Sequence, residues 1–315
     1  MLALIPKFIH RLIPKFIQKH RSTFAVASNQ RKILKFAKSN KLIFLEPTPP
    51  PRGSGSIENY YHFIVDTVLP LYFVLTQTPA DVIFIIRGLG IHADKLRQLF
   101  SNRIKVEDKT NIQRGFKTSA LVGMNPRFVN VNSSDLEKFK GDICSYLKVD
   151  QNSQSNRILL IERLPPDPYF IATGHESGSS RRSILNHGEL ASALKSMVKA
   201  PFEFHNIQLE KISFEEQVDY FDKALVVIAQ HGAGLANCIW MKQNSIVIEL
   251  NSREELEHFK VISKLREHHY FLYKTSSIHA TVDINSFTNW LLSNEKLNRF
   301  FATAPESSRK NRGNF

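Results

Sequence analysis

Cysteine is scarce in this 315-residue sequence, where only Cys144 and Cys238 occur. A single pair so far apart supports neither a disulfide framework nor a cysteine zinc site. The twelve histidines form no His-Glu-x-x-His motif, so no metal site is expected. These absences favour a reduced setting, and we expect the protein to be cytoplasmic.

Long apolar runs are also missing, since none approaches the ~20 residues that span a bilayer. Acidic residues are absent before Glu46, and "LIPKFIH" at 4–10 is nearly repeated as "LIPKFIQ" at 12–18. These apolar stretches are too short for the core of a signal peptide. Two interpretations stay open: a basic amphipathic segment in peripheral contact with an anionic membrane through residues 1–20, or a leading segment packed on the first domain.

Two motifs of nucleotide and ester chemistry are absent as well. No Gly-x-x-x-x-Gly-Lys-Ser/Thr loop is present, which argues against a P-loop phosphotransferase. No Gly-x-Ser-x-Gly elbow indicates a serine hydrolase.

The sequence does contain enough apolar residues for sizeable cores, with 42% hydrophobic and 10% aromatic residues. Its net charge of +13 favours an anionic partner: nucleotide, phosphate, polysaccharide, nucleic acid or lipid surface. Short apolar runs alternate with amphipathic segments, which predicts βα units and mainly parallel sheets. Strands are expected at 42–45, 81–87, 120–123, 158–162, 202–205, 224–229, 246–250 and 270–274. Helices are expected at 57–76, 92–100, 134–147, 189–198, 214–221, 235–241, 254–266 and 284–292.

A polar stretch without periodicity, residues 150–156, reads as a linker near the middle of the chain. We therefore predict two α/β domains that meet at a cleft. The expected parts are a basic N-terminal segment at 1–40, a first domain at 41–150, a second domain at 157–300 and a disordered tail at 304–315.

The stretch "VVIAQHGAGLANCIW" at 226–240 joins an apolar run to a histidine and two glycines. We expect a buried strand that turns sharply into a helix starting near Leu235. The glycines permit unusual dihedral angles and a close approach of ligand to backbone. The first amides of the helix and its dipole can bind a phosphate, to which His231 can donate. The alternative is a tight strand-to-helix turn around a buried histidine. The predicted phosphate-binding residues are His231, Gly232, Ala233, Gly234 and Leu235.

Charged residues flank this stretch in the sequence. The strand "NSIVIELN" ends near Glu249, where a carboxylate can hold ribose hydroxyls; the alternative is an ordinary solvent-exposed acid. Upstream, Arg181 and Arg182 precede a helix, and arginine forks bind diphosphate oxygens in a bidentate manner. The alternative interpretation is that both are surface arginines on a loop. Asn186 is placed to cap the helix together with Glu189.

A helix expected at 57–75 combines apolar residues at helical spacing with a polar stripe. Glu58, His62 and Asp66 lie four residues apart and stack on one face, with Asn59 beside them. A stripe of this kind on so apolar a helix indicates the wall of a cleft. The alternative is an ordinary solvated helix face.

The same helix offers a candidate base. Pro70 cannot donate to the carbonyl of Asp66, so we expect a kink there. Asp66, which needs no pKa change to be ionised, or neutral His62 can accept a proton from an attacking hydroxyl.

Four of these stretches together resemble glycosyltransferase family 61: "ENYYHFIVDTVLPLY", "RRSILNHGEL", "SFEEQVDYF" and "VVIAQHGAGLANCIWM" occur in that family's order. The resemblance covers roughly residues 58 to 250, and "HGAGLAN" is its most specific element. It implies a GT-B-like α/β fold of two Rossmann-like domains facing a central cleft. It also implies inverting, metal-independent transfer from a nucleotide sugar, often UDP-linked, bound mainly by the C-terminal domain. The sequence agrees in having no Asp-x-Asp triplet, the motif with which metal-dependent glycosyltransferases commonly hold Mg²⁺ or Mn²⁺.

The resemblance also assigns roles to residues. Arg182, within "RSILN", is expected to contact the donor phosphates, although the long loop before it leaves open whether Arg181 does so instead. Asp66 is the preferred base and His62 the alternative. It places His231, Gly232, Ala233 and Gly234 in the diphosphate loop, and Asn59, His62 and Asp66 on the acceptor side. Together with the residues argued from the sequence above, the expected donor-side set is His231, Gly232, Ala233, Gly234, Leu235, Arg181, Arg182, Asn186 and Glu249, and Glu58 joins Asn59 on the acceptor side.

The expected function is therefore the transfer of a sugar to a glycan hydroxyl, in surface polysaccharide synthesis, without a cofactor beyond the donor and without nucleic acid. The alternative is a non-catalytic basic α/β protein that binds nucleotides or nucleic acid. Only the basic charge favours that alternative, because no recognised nucleic-acid module spacing is present.

Overall fold

The structure is a computed structural model, which describes residues 32–46, 58–87, 90–100, 102–107, 116–117, 131–172, 177–253 and 256–302. The predicted membrane-contacting segment at 1–20, the strand at 120–123 and the tail at 304–315 lie outside these ranges. The chain divides into two compact units, Met1–Asn132 and Ser133–Phe315. Within the described ranges, none of the helices combines the length and the apolar character needed to cross a membrane.

The first unit contains a parallel sheet with strand order β3-β2-β1-β4. Its strands are β1 (Leu42–Glu46), β2 (Ile83–Arg87), β3 (Ile104–Glu107) and β4 (Phe116–Lys117). Its helices are α1 (32–37), α2 (Tyr60–Phe63, a π-helical stretch Ile64–Val68, and Leu69–Thr76) and α3 (Ala93–Phe100), with a 3₁₀ turn at Gly90–His92. Because α2 is buried along most of its length, it forms much of the apolar core of this unit.

The second unit is built on a five-stranded parallel sheet with strand order β10-β9-β8-β5-β7, and β11 and β6 form a separate parallel pair. The strands are β5 (Arg157–Glu162), β6 (Ser183–Ile184), β7 (Glu203–Gln208), β8 (Ala224–Gln230), β9 (Ile246–Asn251), β10 (His269–Lys274) and β11 (His279–Ala280). The α-helices are α4 (Ser133–Tyr146), α5 (Pro168–Ala172), α6 (Gly178–Arg181), α7 (His187–Met197), α8 (Phe214–Asp222), α9 (His258–Leu265) and α10 (Ile284–Ser293). The 3₁₀ helices are Leu209–Lys211 and Ala233–Trp240.

The two parallel sheets confirm the predicted α/β class. The expected strands at the centre of the second sheet are present as β5, β8 and β9, each a run of buried aliphatic residues. Such unbroken apolar runs are typical of strands covered on both faces. The short strands β3, β4, β6 and β11 are additional to the prediction, because two to four residues give too little periodicity to be recognised.

Helix α4 belongs to the second unit, whereas the sequence predicted a boundary at 150–156. A buried ion pair between Lys140 and Asp222, 2.7 Å apart, ties this helix to the end of α8. Arg266 pairs with Glu137 at 2.8 Å and is itself fully buried. Buried charges require such partners, and no sequence pattern indicates which residues supply them.

The order of the strands in the second sheet creates a switch point. The chain passes from β5 outward to β7 and then crosses back to β8 on the opposite side of β5. In open parallel sheets, ligands bind beyond the carboxyl ends of the strands at such a point. A ligand site in this unit is therefore expected at the carboxyl ends of β5 and β8.

Candidate functional site

Arg163 and His231 stand directly after β5 and β8, on the two sides of the switch point. The side chain of His231 is buried, and its Nδ1 lies 2.5 Å from Oε1 of Glu249 on the neighbouring strand β9. Because a carboxylate only accepts, Nδ1 donates, and Nε2 is the ring atom left to face a ligand. The predicted histidine and carboxylate are thus brought into direct contact.

Glu249 is fully buried, which contradicts the alternative of a solvent-exposed acid at a strand end. Besides His231, it accepts from Asn251 Nδ2 at 2.9 Å and from the hydroxyl of Tyr270 at 2.8 Å. Burial, followed by the nearby charge of Glu249, raises the pKa of Tyr270, so that the hydroxyl stays a donor. The predicted contact of Glu249 with ribose hydroxyls would require the carboxylate to leave these partners.

The glycine loop (residues 231–234) differs from the expectation in its conformation. Gly232 is extended, with φ 174° and ψ 167°, so it does not use the unusual dihedral angles that glycine permits. A Cβ on Gly232 would instead lie 1.8 Å from Nη1 of Arg163, and one on Gly234 would lie 2.7 Å from Cδ1 of Leu209. A side chain at either position would therefore displace a neighbouring side chain that the sequence alone does not place.

The helix predicted to start near Leu235 is present as a 3₁₀ helix, Ala233–Trp240, which begins two residues earlier. The N–H of Leu235 already donates to the carbonyl of Gly232 at 3.0 Å. The N–H groups of Gly232, Ala233 and Gly234, by contrast, have no acceptor among the described residues. These three amides are the ones that an anionic ligand can use.

Arg182 contradicts the alternative of a surface arginine, because it is only 9% exposed. Its guanidinium forms no hydrogen bond or ion pair with a residue in the described ranges. Burial, and then the charges of Arg181 and Arg253, lower the pKa of Arg182, while Glu249 raises it. A buried cation beside two further cations, with a neighbouring carboxylate already engaged, favours an anionic ligand.

Two arginines of this group were not predicted. Arg163 and Arg253 join Arg181 and Arg182 as the arginine cluster, whose members influence one another electrostatically. Arg163 donates to the carbonyl of His231, and Arg253 follows β9, the strand that carries Glu249. Their positions at the ends of β5 and β9 could have been noticed in the sequence, since both strands were predicted. No motif distinguishes them from the other basic residues.

Asn186 occupies the N-cap position of α7, as predicted, but its side chain makes no capping hydrogen bond, so the predicted capping pair with Glu189 is wrong. The amide of Asn186 instead makes two bonds of 2.9 Å with the backbone of Val282, one to the carbonyl and one from the N–H. This exchange satisfies the side chain more fully than a cap would, and Glu189 is left exposed in the first turn of the helix.

In the first unit, the predicted contact on α2 is present. Nδ1 of His62 lies 2.6 Å from Oδ2 of Asp66. Asp66 lies within the π-helical stretch, four residues before Pro70, and the N–H of Leu69 donates to the carbonyl of Ile64 five residues earlier. The wider turn accommodates a proline ring that would otherwise clash with the carbonyl four residues before it. The expected irregularity thus takes the form of a π-helical stretch.

Asp66 is buried, and its second oxygen, Oδ1, has no hydrogen-bond partner. Burial raises the pKa of Asp66, and the hydrogen bond and charge of His62 oppose this rise. The pKa of Asp66 is thus shifted upward from the ordinary value that the sequence suggested, and its role as the base stays a prediction. A carboxylate with a raised pKa and one oxygen unused is a better proton acceptor than an ordinary aspartate.

Glu58 and Asn59, predicted on the acceptor side, both form hydrogen bonds at the start of α2. Asn59 is the N-cap, and its Oδ1 accepts from Tyr61 N–H at 3.0 Å. Glu58 is buried, and its carbonyl lies 2.8 Å from Nε2 of His92, whose ring stacks on Phe63. Burial, then Lys95, lowers the pKa of His92 to about 3. A solvated helix face is thus contradicted.

Among the described residues, no three His, Cys, Asp or Glu side chains are arranged to hold a metal ion. A family model described as Glycosyltransferase 61 matches residues 60–248 of the chain. The match runs from the start of α2 to β9 and so includes His62, Asp66, Arg182 and the glycine loop.

Curated relatives match a shorter part of the chain. The EGF domain-specific O-linked N-acetylglucosamine transferase of Gallus gallus is 25% identical over 119 residues, which is 38% of this chain and 22% of the relative. The enzymes of the same name from Canis lupus familiaris and Mus musculus are 24% and 25% identical, over 38% and 39% of this chain and 23% of each relative. The matched part thus spans less than a quarter of each relative's length.

Proposed function

Because the chain belongs to glycosyltransferase family 61, we propose that it transfers a sugar from a UDP-linked donor to a hydroxyl of a glycan acceptor, with inversion and without a divalent metal. That the protein is a glycosyltransferase follows from the family and its relatives. The donor, the stereochemistry, the metal independence, the GT-B arrangement and a role in surface polysaccharide synthesis are the parts proposed.

One observation carries the proposal: Arg182 is buried, has no hydrogen bond or ion pair among the described residues, and interacts electrostatically with Arg163 and Glu249, which both contact His231 at the switch point of a parallel sheet. Guanidinium groups and backbone N–H groups together bind diphosphate oxygens. Arginines supply the positive charge that a divalent ion supplies in metal-dependent transferases.

The chemistry of the reaction assigns each group a task. The acceptor hydroxyl loses its proton to Asp66, and its oxygen forms a bond to the anomeric carbon while the bond from that carbon to the phosphate oxygen breaks. The electron pair stays on the departing diphosphate, whose growing charge is met by Arg182, by the loop amides and by Nε2 of His231. Preorganised donors of this kind contribute about 3 kcal/mol each to lowering the barrier.

The two parts of the reaction must meet at one sugar. The GT-B arrangement belongs to the proposal because it would bring the donor site of the second unit and the base of the first to the same anomeric carbon. The names of the relatives make UDP-N-acetylglucosamine the first donor to test. The net charge of +13 favours an acidic acceptor such as an anionic polysaccharide.

The test is a thermal-shift and calorimetry panel of UDP, GDP, CMP and their sugars in EDTA, followed by assays of diphosphate release. UDP at 100 times its Kd should stabilise the fold by about 2.7 kcal/mol. Stabilisation by an oligonucleotide alone, with no response to any nucleotide, would overturn the proposal in favour of a nucleic-acid-binding protein. A strict requirement for Mg²⁺ or Mn²⁺ would overturn metal independence.

Arg182→Ala is the matched variant for this panel. Because a hydrogen bond to a charged group contributes ~1.5–3 kcal/mol, the loss should weaken UDP binding roughly ten- to a hundredfold. Arg181→Ala should have the smaller effect, since its side chain is less buried. Arg299→Ala, which removes an exposed arginine that lies over Phe300, should have none. Equal effects of all three would point to general attraction by a basic surface.

A further inference from the structure

We propose that Arg163 is a positioning residue, whose guanidinium joins the glycine loop to the segment carrying Arg181 and Arg182 and thereby fixes the spacing of the diphosphate site. The inference rests on the proposed function, because it concerns the same anion site. It assigns a role to a residue that contacts backbone and is not itself required to touch the ligand.

Three hydrogen bonds define the role of Arg163. Nε and Nη2 donate to the carbonyl of Gly178 at 3.2 and 2.8 Å, and Nη1 donates to the carbonyl of His231 at 3.2 Å. The two acceptors belong to different segments, one preceding Arg181 and the other beginning the glycine loop. A guanidinium can make both contacts at once because its donors lie in a planar fork, which an ammonium group lacks.

Two glycines make room for this contact. A Cβ on Gly232 would lie 1.8 Å from Nη1 of Arg163, although the dihedral angles of Gly232 suit any residue. Gly178 has φ +54°, a left-handed conformation, and a Cβ there would lie 2.3 Å from the carbonyl oxygen of Leu164. Both ends of the contact thus depend on the absence of a side chain.

The position of Arg163 is not explained by an ion pair with a carboxylate among the described residues. Its side chain forms no ion pair with the described residues, and within that part of the chain it donates to two backbone carbonyls. Burial, and then Arg182, lower the pKa of Arg163 to about 10, so the group remains charged at neutral pH. The repulsion between Arg163 and the neighbouring arginines is relieved when an anionic diphosphate binds among them.

The test compares Arg163→Lys with the wild-type full chain, using UDP and inorganic pyrophosphate as probes in calorimetry. Lysine keeps the charge and loses the fork, so both probes should bind at least about tenfold more weakly. Arg157→Lys is the matched control, since Arg157 lies at the opposite end of the same strand and bonds to Asp219. Arg157→Lys should leave both affinities unchanged. Binding by Arg163→Lys within twofold of the wild-type value would overturn the proposal.

A double-mutant cycle tests the contact itself and does not depend on Arg163→Lys folding. Gly232→Ala should displace the guanidinium and weaken binding of both probes to a degree similar to Arg163→Met. In the Arg163→Met background, Gly232→Ala should add little, because the clash has been removed. Fully additive losses would show that the glycine and the arginine act separately, and the proposal would be wrong.

The controls separate this proposal from the proposed function. If wild-type protein bound neither UDP nor pyrophosphate, the donor site would be refuted, and the positioning role with it. If wild-type protein and Arg157→Lys bound UDP while Arg163→Lys bound it equally well, the donor site would stand and only the positioning role would fail.

Discussion

Each unit of the molecule has a histidine–carboxylate pair among its candidate site residues, and these two pairs differ in how many hydrogen bonds the carboxylate accepts. In both, Nδ1 of the histidine meets a carboxylate oxygen, at 2.6 Å for His62 and Asp66 and at 2.5 Å for His231 and Glu249. Glu249 accepts three side-chain donors, whereas Asp66 has one oxygen without a partner. A carboxylate whose oxygens all accept hydrogen bonds can hold the histidine ring in place. A carboxylate with an oxygen that accepts none can receive a proton.

Exposure separates the pairs in the same way. The side chain of His62 is 25% exposed and that of His231 only 7%. The first pair is thus the more accessible to a small molecule, while the second is nearly closed to solvent. Five predictions test this difference, from the largest expected effect to the smallest.

The largest effect is expected from Asp66→Asn. Removal of a general base typically lowers the rate ~10²- to 10⁴-fold, so sugar transfer should fall by that factor while UDP affinity stays unchanged. Turnover is measured as released diphosphate. Near-normal transfer by Asp66→Asn, together with its abolition in His62→Ala, would identify His62 as the base.

The same variant has a pH signature in stability. Since the folded-state pKa of Asp66 is raised, its contribution to stability is fully present below the unfolded pKa and is lost as pH rises through the folded one. Asparagine does not titrate. Asp66→Asn should therefore gain stability relative to wild type as pH rises, measured by urea unfolding across pH.

Glu249→Gln should act on stability and binding. The amide nitrogen of glutamine is a donor, so one of the three buried donors around residue 249 loses its acceptor, at a cost of about 1–3 kcal/mol. We expect a lower unfolding free energy and weaker UDP binding because the ring of His231 loses its anchor. Unchanged stability and UDP binding in Glu249→Gln would show that the carboxylate neither stabilises the fold nor anchors the ring of His231.

Tyr270→Phe should have a smaller effect of the same kind, since it removes one of the three donors to Glu249. The expected loss is about 1 kcal/mol of unfolding free energy. Tyr273→Phe on the same strand is the control, because Tyr273 packs against Phe287 and Trp290. A larger loss from the control would refute the role of the hydroxyl.

His62→Gln should give the smallest effect, a shift in the pH profile of transfer. His62 lowers the pKa of Asp66 by a hydrogen bond and by its charge, so the variant should need a higher pH to ionise the base. The acid limb should move upward, while the limb of a His187→Gln control stays in place. A downward shift would contradict the assignment of Asp66 as the base.

The two pairs were not equally predictable from the sequence. His62 and Asp66 lie four residues apart on one helix, and helical spacing alone brings them together. Glu249 and His231 meet because β8 and β9 are neighbours in the sheet, in a register that no local pattern specifies. The sequence predicted both strands and left the contact between their ends undetermined.

The arginine cluster shows the same limit. Arg182 was found through its motif, whereas Arg163 meets the carbonyl of His231 from a position 68 residues earlier in the chain. The strand order β8-β5-β7 makes that contact, and strand order depends on the packing of the whole unit. The extended backbone of Gly232 follows from the same cause, since the space it leaves is filled by a distant side chain.

The π-helical stretch in α2 has a consequence for how the chain tolerates insertions and deletions. A π turn holds an extra residue compared with an α-helical turn, and each residue of an α-helix rotates the next by about 100°. Deleting one residue between Ile64 and Val68 would close the wide turn into an α-helical one, so that Leu71, Val74 and the other core residues after it keep their places in the apolar interior. The ring of Pro70 would then clash with the carbonyl four residues before it, so a natural one-residue deletion among these five positions is expected to coincide with loss of the proline.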